Sequence, residues 1–323
     1  MTIRILTTIT LISLAVVALC QNAAAQEYPN RSVKILIGYP PGGAVDVNAR
    51  LIGKLLSERW KQPVVVENRS GAGSTIATAS VAQAAPDGYT ILLASPAHTI
   101  NATLYKKLSY DTTTAFTAVA KLSLAPLILI VHPSLQAQNV QQLIALAKAQ
   151  PGKLNYGSSG TGTTVHLAGA LFNMMAGTSI QHIPYHGGGP AITALMAGDV
   201  QIMFAGVEGL AQVKSGNLRA LAITAAERLE LFGSLPTVSE SGLPGFDVET
   251  WYGLYVPAAT PVAVVQRLSK DVNDILREPA TIDRYRKLGF EVFQSTPEQF
   301  GAFTQSELKK WRDVVQVAGA TLD

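Results

Sequence analysis

The chain has 323 residues, 48% of them hydrophobic and 15% charged, with a formal net charge of +3. That length supports two α/β lobes around separate cores, and so mild a charge, with no run of Lys or Arg interleaved with aromatics, argues against a nucleic-acid partner. One cysteine, Cys20, is present, and it falls in a leader, so the mature chain is expected to have no disulfide, thiol nucleophile or cysteine metal site.

The leader is read from Arg4, the apolar run Ile9 to Leu19 and the small residues Ala23-Ala24-Ala25, which predict a signal peptide over 1–25 and a mature start near Gln26. The run is shorter than a bilayer span requires. Leu19 before Cys20 suits a lipid-attachment site poorly, so a free periplasmic protein is expected.

Val33 to Ile37 is a short, β-rich strand, and Pro40 and Pro41 then forbid both helix and ladder pairing. Gly42 and Gly43 follow, and Val47, Leu51 and Leu55 at four-residue spacing predict a helix. A helix that opens on glycines presents bare backbone N–H groups, a ready site for a carboxylate or phosphate; a plain βα turn with glycines for steric reasons is the alternative. Pro63 to Glu67 is the next strand, and Asn68 to Ser74 a polar glycine loop into a helix over Thr75 to Ala84. After the turn Pro86-Asp87-Gly88, Tyr89 to Ala94 is a third strand, with Ser95-Pro96-Ala97-His98 at its carboxyl end. Ligands of open α/β sheets sit outside such ends, which places Gly42-Gly43 and Ser95 to His98 at one crevice, unless His98 is simply a solvated loop residue.

Phe116 to Val131 is long, apolar and extended, broken at Ala125-Pro126, and reads as a crossover into a second lobe. There a helix over Val140 to Ala149 precedes a strand at Leu154 to Tyr156 and a second loop, Gly157 to His166, rich in glycine and hydroxyls and opening a helix to about Ala176. Ile180 to Ile183 is a strand leading to a third glycine loop, Tyr185 to Pro190, and a helix ended by Gly198-Asp199. Strands at Val200 to Phe204 and Arg219 to Thr224 flank a helix over Val207 to Val213. Val248 to Pro257 reads as the return crossing, and helices over Pro261 to Arg277, Ala280 to Lys287 and Pro297 to Ala318 are expected on the first lobe. The expected division is 26–125 with 253–323 as one lobe and 126–252 as the other.

Several catalytic motifs nearly occur and each fails at the residue that carries its chemistry. Gly157 and Gly162 have P-loop spacing, yet Thr163 stands where the lysine belongs, and Val165 replaces the third glycine of a dinucleotide fingerprint. Gly157-Ser158-Ser159-Gly160-Thr161 lacks the last glycine of a nucleophile elbow. His182 and His186 are four apart, but Pro184 between them forbids the helix that would bring them together on a metal.

Taken together, Tyr39-Pro40-Pro41-Gly42-Gly43 with Asp46 and Arg50, Glu67-Asn68 with Gly71-Ala72-Gly73, Pro86-Asp87-Gly88-Tyr89, Gly160-Thr161-Gly162 with His166-Leu167-Ala168, Tyr185 with Gly187 to Pro190, Pro236-Thr237 with Glu240 and Gly242, and Trp251-Tyr252-Gly253 with Pro257 and Thr260-Pro261 resemble the Bug-type receptors of tripartite tricarboxylate transporters over essentially the whole mature chain. The resemblance implies an α/β fold, a type II periplasmic binding protein with two lobes joined by two crossover strands. It also implies capture of a small organic carboxylate for membrane permease subunits, without catalysis, cofactor or metal. Carried onto this chain, it points to Tyr39, Gly43, Ala44 and Asp46, to Ser95 and His98, to Ser159, Gly160, Thr161, Gly162, Thr163 and His166, and to Tyr185 and Gly188 as ligand-binding residues. Many relatives carry an aspartate after the strand at Ile202 to Phe204, where this chain has Ala205-Gly206; that departure favours an amine-free carboxylate, unless Glu208 substitutes. The alternatives are a sensor subunit that presents its ligand to a membrane signalling protein, and an exported enzyme on the same scaffold.

Overall fold

The computed structural model describes residues 28–206 and 209–322. The expected signal peptide and Glu208 lie outside these residues.

Two sheets organise the chain. In the first, β1 (Val33–Ile37) is central between β2 (Val64–Asn68) and β3 (Thr90–Ala94), all parallel, with Val33 opposite Val64 and Ile35 opposite Ile91. The parallel pairing needs crossovers, and helices α1 (Ala44–Trp60) and α2 (Thr75–Ala82) supply them. Helix α3 (Ala97–Leu104) follows β3. β4 (Phe116–Pro126) is the last long strand on one side of the first sheet, and β5 (Ile128–Val131) begins two residues later in the second.

The second sheet continues with α4 (Val140–Ala149), β6 (Asn155–Ser158), α5 (Thr164–Ala176), β7 (Gln181–Pro184), α6 (Gly188–Ala197), β8 (Ile202–Ala205), α7 (Gly209–Lys214) and β9 (Arg219–Ile223). Its order is β7-β6-β8-β5-β9, with β5 antiparallel to both neighbours. The chain returns as β10 (Glu249–Pro257), which pairs antiparallel with β4 along its whole length and inserts between β4 and β3. Helices α8 (Val262–Leu276) and α9 (Pro279–Lys287), a short β11 (Glu291–Val292) against β4, and α10 (Pro297–Val317) complete the chain.

At the passage between sheets, Thr224 is fully buried and fastens both crossings. Its hydroxyl accepts the Leu127 N–H at 2.8 Å and donates to the Val248 carbonyl at 2.6 Å. Beside it, Lys121 of β4 and Glu249 of β10 form a buried ion pair at 2.9 Å, and the ammonium lies over the rings of Phe293 and Phe303.

The last helix is a strap across both lobes. Thr296 and Gln299 cap its start reciprocally, with Pro297 at the first helical position. Near its beginning Phe300 packs with Trp251 and Tyr255 of the first sheet, whereas Trp311, Val314 and Val315 join the core that contains Phe172, Phe204 and Phe246 of the second. Glu307 holds it in place, accepting both indole N–H groups, Trp251 and Trp311, at 2.9 Å.

Candidate functional site

A cleft of about 410 Å³ opens between the two sheets. Three helices start at its wall: α1 lines it through Ala44 and Val45, α3 through Ser95, Pro96 and Ala97 at its beginning, and α5 through Thr163, Thr164 and Val165. The first four N–H groups of an α-helix have no partner inside it, and the dipole makes that end positive. In α1 the first internal bond is from Val47 to Gly43, and in α5 from Leu167 to Thr163. The amides of Ala44, Val45, Thr164 and Val165 therefore remain as donors at the cleft. Among the described residues, no Asp, Glu, Lys, Arg or His lines it.

The chain before each helix is shaped by its own side chains. Asp46, almost fully buried, turns back to accept the Gly42 N–H at 3.0 Å, the Arg50 guanidinium at 2.9 Å and the Asn68 side-chain amide at 2.9 Å. Arg50 and these hydrogen bonds hold its carboxyl down at about 2. Asn68 also donates to the Tyr39 carbonyl, so the Pro-Gly loop is tied to the end of β2. In the second loop Thr163 caps α5, accepting the His166 N–H at 3.3 Å and donating to the Gly160 carbonyl at 2.7 Å. Gly162, at φ +78°, gives its N–H to His166 Nδ1 at 3.0 Å; that bond places the ring proton on Nε2.

The residues singled out from the sequence fall into two sets. Tyr39, Ala44, Ser95, Ser159, Thr161, Gly162 and Thr163 line the cleft. Tyr39 and Ser95 share a hydrogen bond of 2.8 Å, which leaves one of the two O–H groups free to donate outward; burial raises the Tyr39 phenol, so it is a neutral donor at neutral pH. Gly43, Asp46, His98, Gly160, His166, Tyr185 and Gly188 stand outside the lining. Gly43 is the residue before α1, and Asp46, Gly160 and His166 are consumed in bonds that shape the loops. His98 is buried with Phe116 and Tyr255, ring centroids 5.0 and 4.7 Å away, and neither ring nitrogen has a protein partner. Desolvation pushes it down to about 3, so it is a neutral core ring. Tyr185 packs on the core under α6, and Gly188 is the first residue of that helix.

His166 stacks on His182 with centroids 3.8 Å apart, and burial together with the neighbouring ring pushes His166 to about 4; burial does the same to His182. His182 Nε2 meets Ser158 Oγ at 2.6 Å. This serine–histidine pair is not placed for attack on a cleft ligand: Ser158 is fully buried, also accepts the Gly160 N–H, and does not line the cleft.

Much of the remaining wall went unread in the sequence. Ile100, Asn101 and Leu104 come from α3, Leu127 from the first crossing, Tyr252 from the second, Phe290 from the turn before β11, and Leu322 from the tail. For α3 a signal existed: Ala97, Ile100, Asn101 and Leu104 follow one helical face. Phe290 and Leu322 had none, because they arrive by folding across long sequence separations.

The family model for a tripartite tricarboxylate transporter family receptor matches residues 48–320. BugT of Bordetella pertussis is 34% identical over 317 residues, which cover 96% of each chain. Among solved structures, R. palustris Rpa4515 with adipate is 33% identical with a TM-score of 0.77, covering 92% of this chain and all of that one. MatC (Rpa3494) from Rhodopseudomonas palustris with bound malate is 32% identical with a TM-score of 0.73, covering 89% of this chain and all of that one.

Proposed function

The chain belongs to the tripartite tricarboxylate transporter receptor family, and on that premise we propose that it captures a small organic carboxylate in the periplasm and delivers it to the membrane subunits of a tripartite permease. The observation that carries this reading is the convergence of three helix N-termini, from both lobes, on one cleft that no charged side chain among the described residues lines. A carboxylate there meets fixed N–H donors and hydroxyls, each charge-assisted hydrogen bond contributing about 1.5–3 kcal/mol. Because the donors come from both lobes, the anion favours the closed arrangement, by the difference in its affinity for the two states. The bound carboxylates of the two Rhodopseudomonas relatives, adipate and malate, agree with this chemistry.

We assign the chain no catalysis. The nucleophile–base pair beside the second loop, Ser158 with His182, has its serine fully buried and outside the cleft lining. Nor does any helix among the described residues have the length and apolarity to cross a membrane, as suits a receptor that hands its ligand on.

The test is a titration of ligand-stripped protein with mono-, di- and tricarboxylates, alongside sugars and amines. Carboxylates should raise the melting temperature, since a ligand at one hundred times its Kd adds about 2.7 kcal/mol. Stabilisation by sugars or amines alone would overturn the reading.

A further inference from the structure

The tail that follows α10 is built into the ligand cleft. Leu322 donates its N–H to the Leu104 carbonyl at 2.8 Å, its own carbonyl accepts the Lys106 N–H at 3.2 Å, and it forms a parallel bridge with Tyr105. These two backbone hydrogen bonds, which make up the bridge, fix one residue of the tail beside the end of α3. Leu322 lines the cleft, as do Leu104, Leu127 and Phe290, and packs in one apolar cluster with Leu104 and Leu127; among the described residues no charged side chain lines the cleft. Leu104 is also where the lobes meet: a Cβ on Gly162 would lie 2.5 Å from its Cδ2. The helix donors serve the carboxylate, so this apolar wall faces whatever hydrocarbon the acid carries.

We propose that Leu322 gauges the hydrocarbon body of the ligand, making the C-terminal tail a specificity element of the cleft. The inference rests on the carboxylate reading above and extends it. The ligand class it assigns is a carboxylic acid with an uncharged hydrocarbon body. An ammonium against this wall would lose water with no counter-charge among the described lining residues to replace it. The length or girth of the hydrocarbon is set by the volume that Leu322 leaves, because a packed apolar wall penalises both a gap and an overlap.

The test is calorimetric titration of ligand-stripped wild type, Leu322→Ala and Leu322→Trp with straight-chain acids lengthened one carbon at a time, as monoacids and as α,ω-diacids. Each well-accommodated CH₂ should tighten binding about fourfold, up to a length at which affinity turns over. Leu322→Ala should move that turnover to longer acids and Leu322→Trp to shorter ones, with amino-substituted acids at least tenfold weaker throughout. Urea denaturation of the free proteins separates folding from recognition. Parallel loss at every length, with the turnover unmoved, would show that the tail only supports the fold and would overturn the proposal. If diacids alone bind, a moving turnover upholds the gauge. If no acid binds any of the three proteins, the carboxylate reading falls and the gauge with it.

Discussion

Replacing Gly162 by alanine carries two separable costs, one within its own loop and one at its contact with Leu104 across the cleft. Gly162 sits at φ +78°, where an L-residue costs about 1–2 kcal/mol. That strain is local to the loop and is present whether the lobes are open or closed. The added Cβ would also fall 2.5 Å from Leu104 Cδ2, 3.1 Å from Cδ1 and 3.4 Å from Cγ, against an ordinary carbon contact of about 3.5–4.0 Å. Leu104 is buried, and with three of its carbons closer than an ordinary contact its side chain must shift to make room for the methyl group. Overpacking of this kind costs about 1–3 kcal/mol, but Leu104 belongs to the first lobe and Gly162 to the second, so opening relieves it. Gly162→Ala should therefore lose about 1–2 kcal/mol in urea denaturation of the free protein. Separately, calorimetry with the acid that wild type binds best should show affinity falling about tenfold to a hundredfold. Adding Leu104→Ala should recover most of the affinity relative to Leu104→Ala alone and none of the stability. Unchanged affinity in Gly162→Ala, or a double variant no better than the two single effects combined, would refute the lobe-contact argument.

Three further outcomes follow from buried groups. Thr224→Val keeps the shape but leaves the Leu127 N–H and the Val248 carbonyl without their shared partner, so unfolding free energy should drop by about 1–3 kcal/mol; a drop below about 0.5 kcal/mol in urea denaturation would remove the hinge-fastening role. His98→Phe should leave ligand affinity unchanged and stability equal or higher, since no hydrogen bond is lost. It should also remove part of the acid lability: His98, held down at about 3, contributes stability present above its ordinary value near 6.5 and lost as pH falls toward 3. Melting curves from pH 7 to 4 check this, and a variant as acid-labile as wild type would count against it. Asp247 has the opposite sign. Burial, then the Glu249 carboxylate, and also Glu307, raise it to about 6 against the pull of Lys310 and Lys121, so its stabilising contribution is full below about pH 4 and is lost as pH rises through 6. Asp247→Asn, which imitates the protonated group, should raise the melting temperature at pH 7 and have little effect at pH 4; an equal shift at both would contradict the assignment.

The alternation of strand, glycine loop and helix, the two crossings at Ala125-Pro126 and Val248 to Pro257, and the helix starts at Gly43 and Thr163 are legible in the residues alone. Those features are local: apolar period, proline and glycine act within a few residues. Which side chain at a helix start faces the cleft depends instead on packing between distant parts of the chain. At the head of α3, Ala97 reaches the cleft while His98, one residue on and about 100° around the axis, turns into the core. At α1, Ala44 and Val45 face the cleft and Asp46 folds back on Gly42 and Arg50. The apolar wall is likewise a tertiary product, since Leu127, Phe290 and Leu322 come together through the crossing, the α9–β11 turn and the tail. A sequence pattern states which face of an element is buried; whether that face meets the core, the other lobe or the ligand depends on where the second lobe and the strap helix are packed against it.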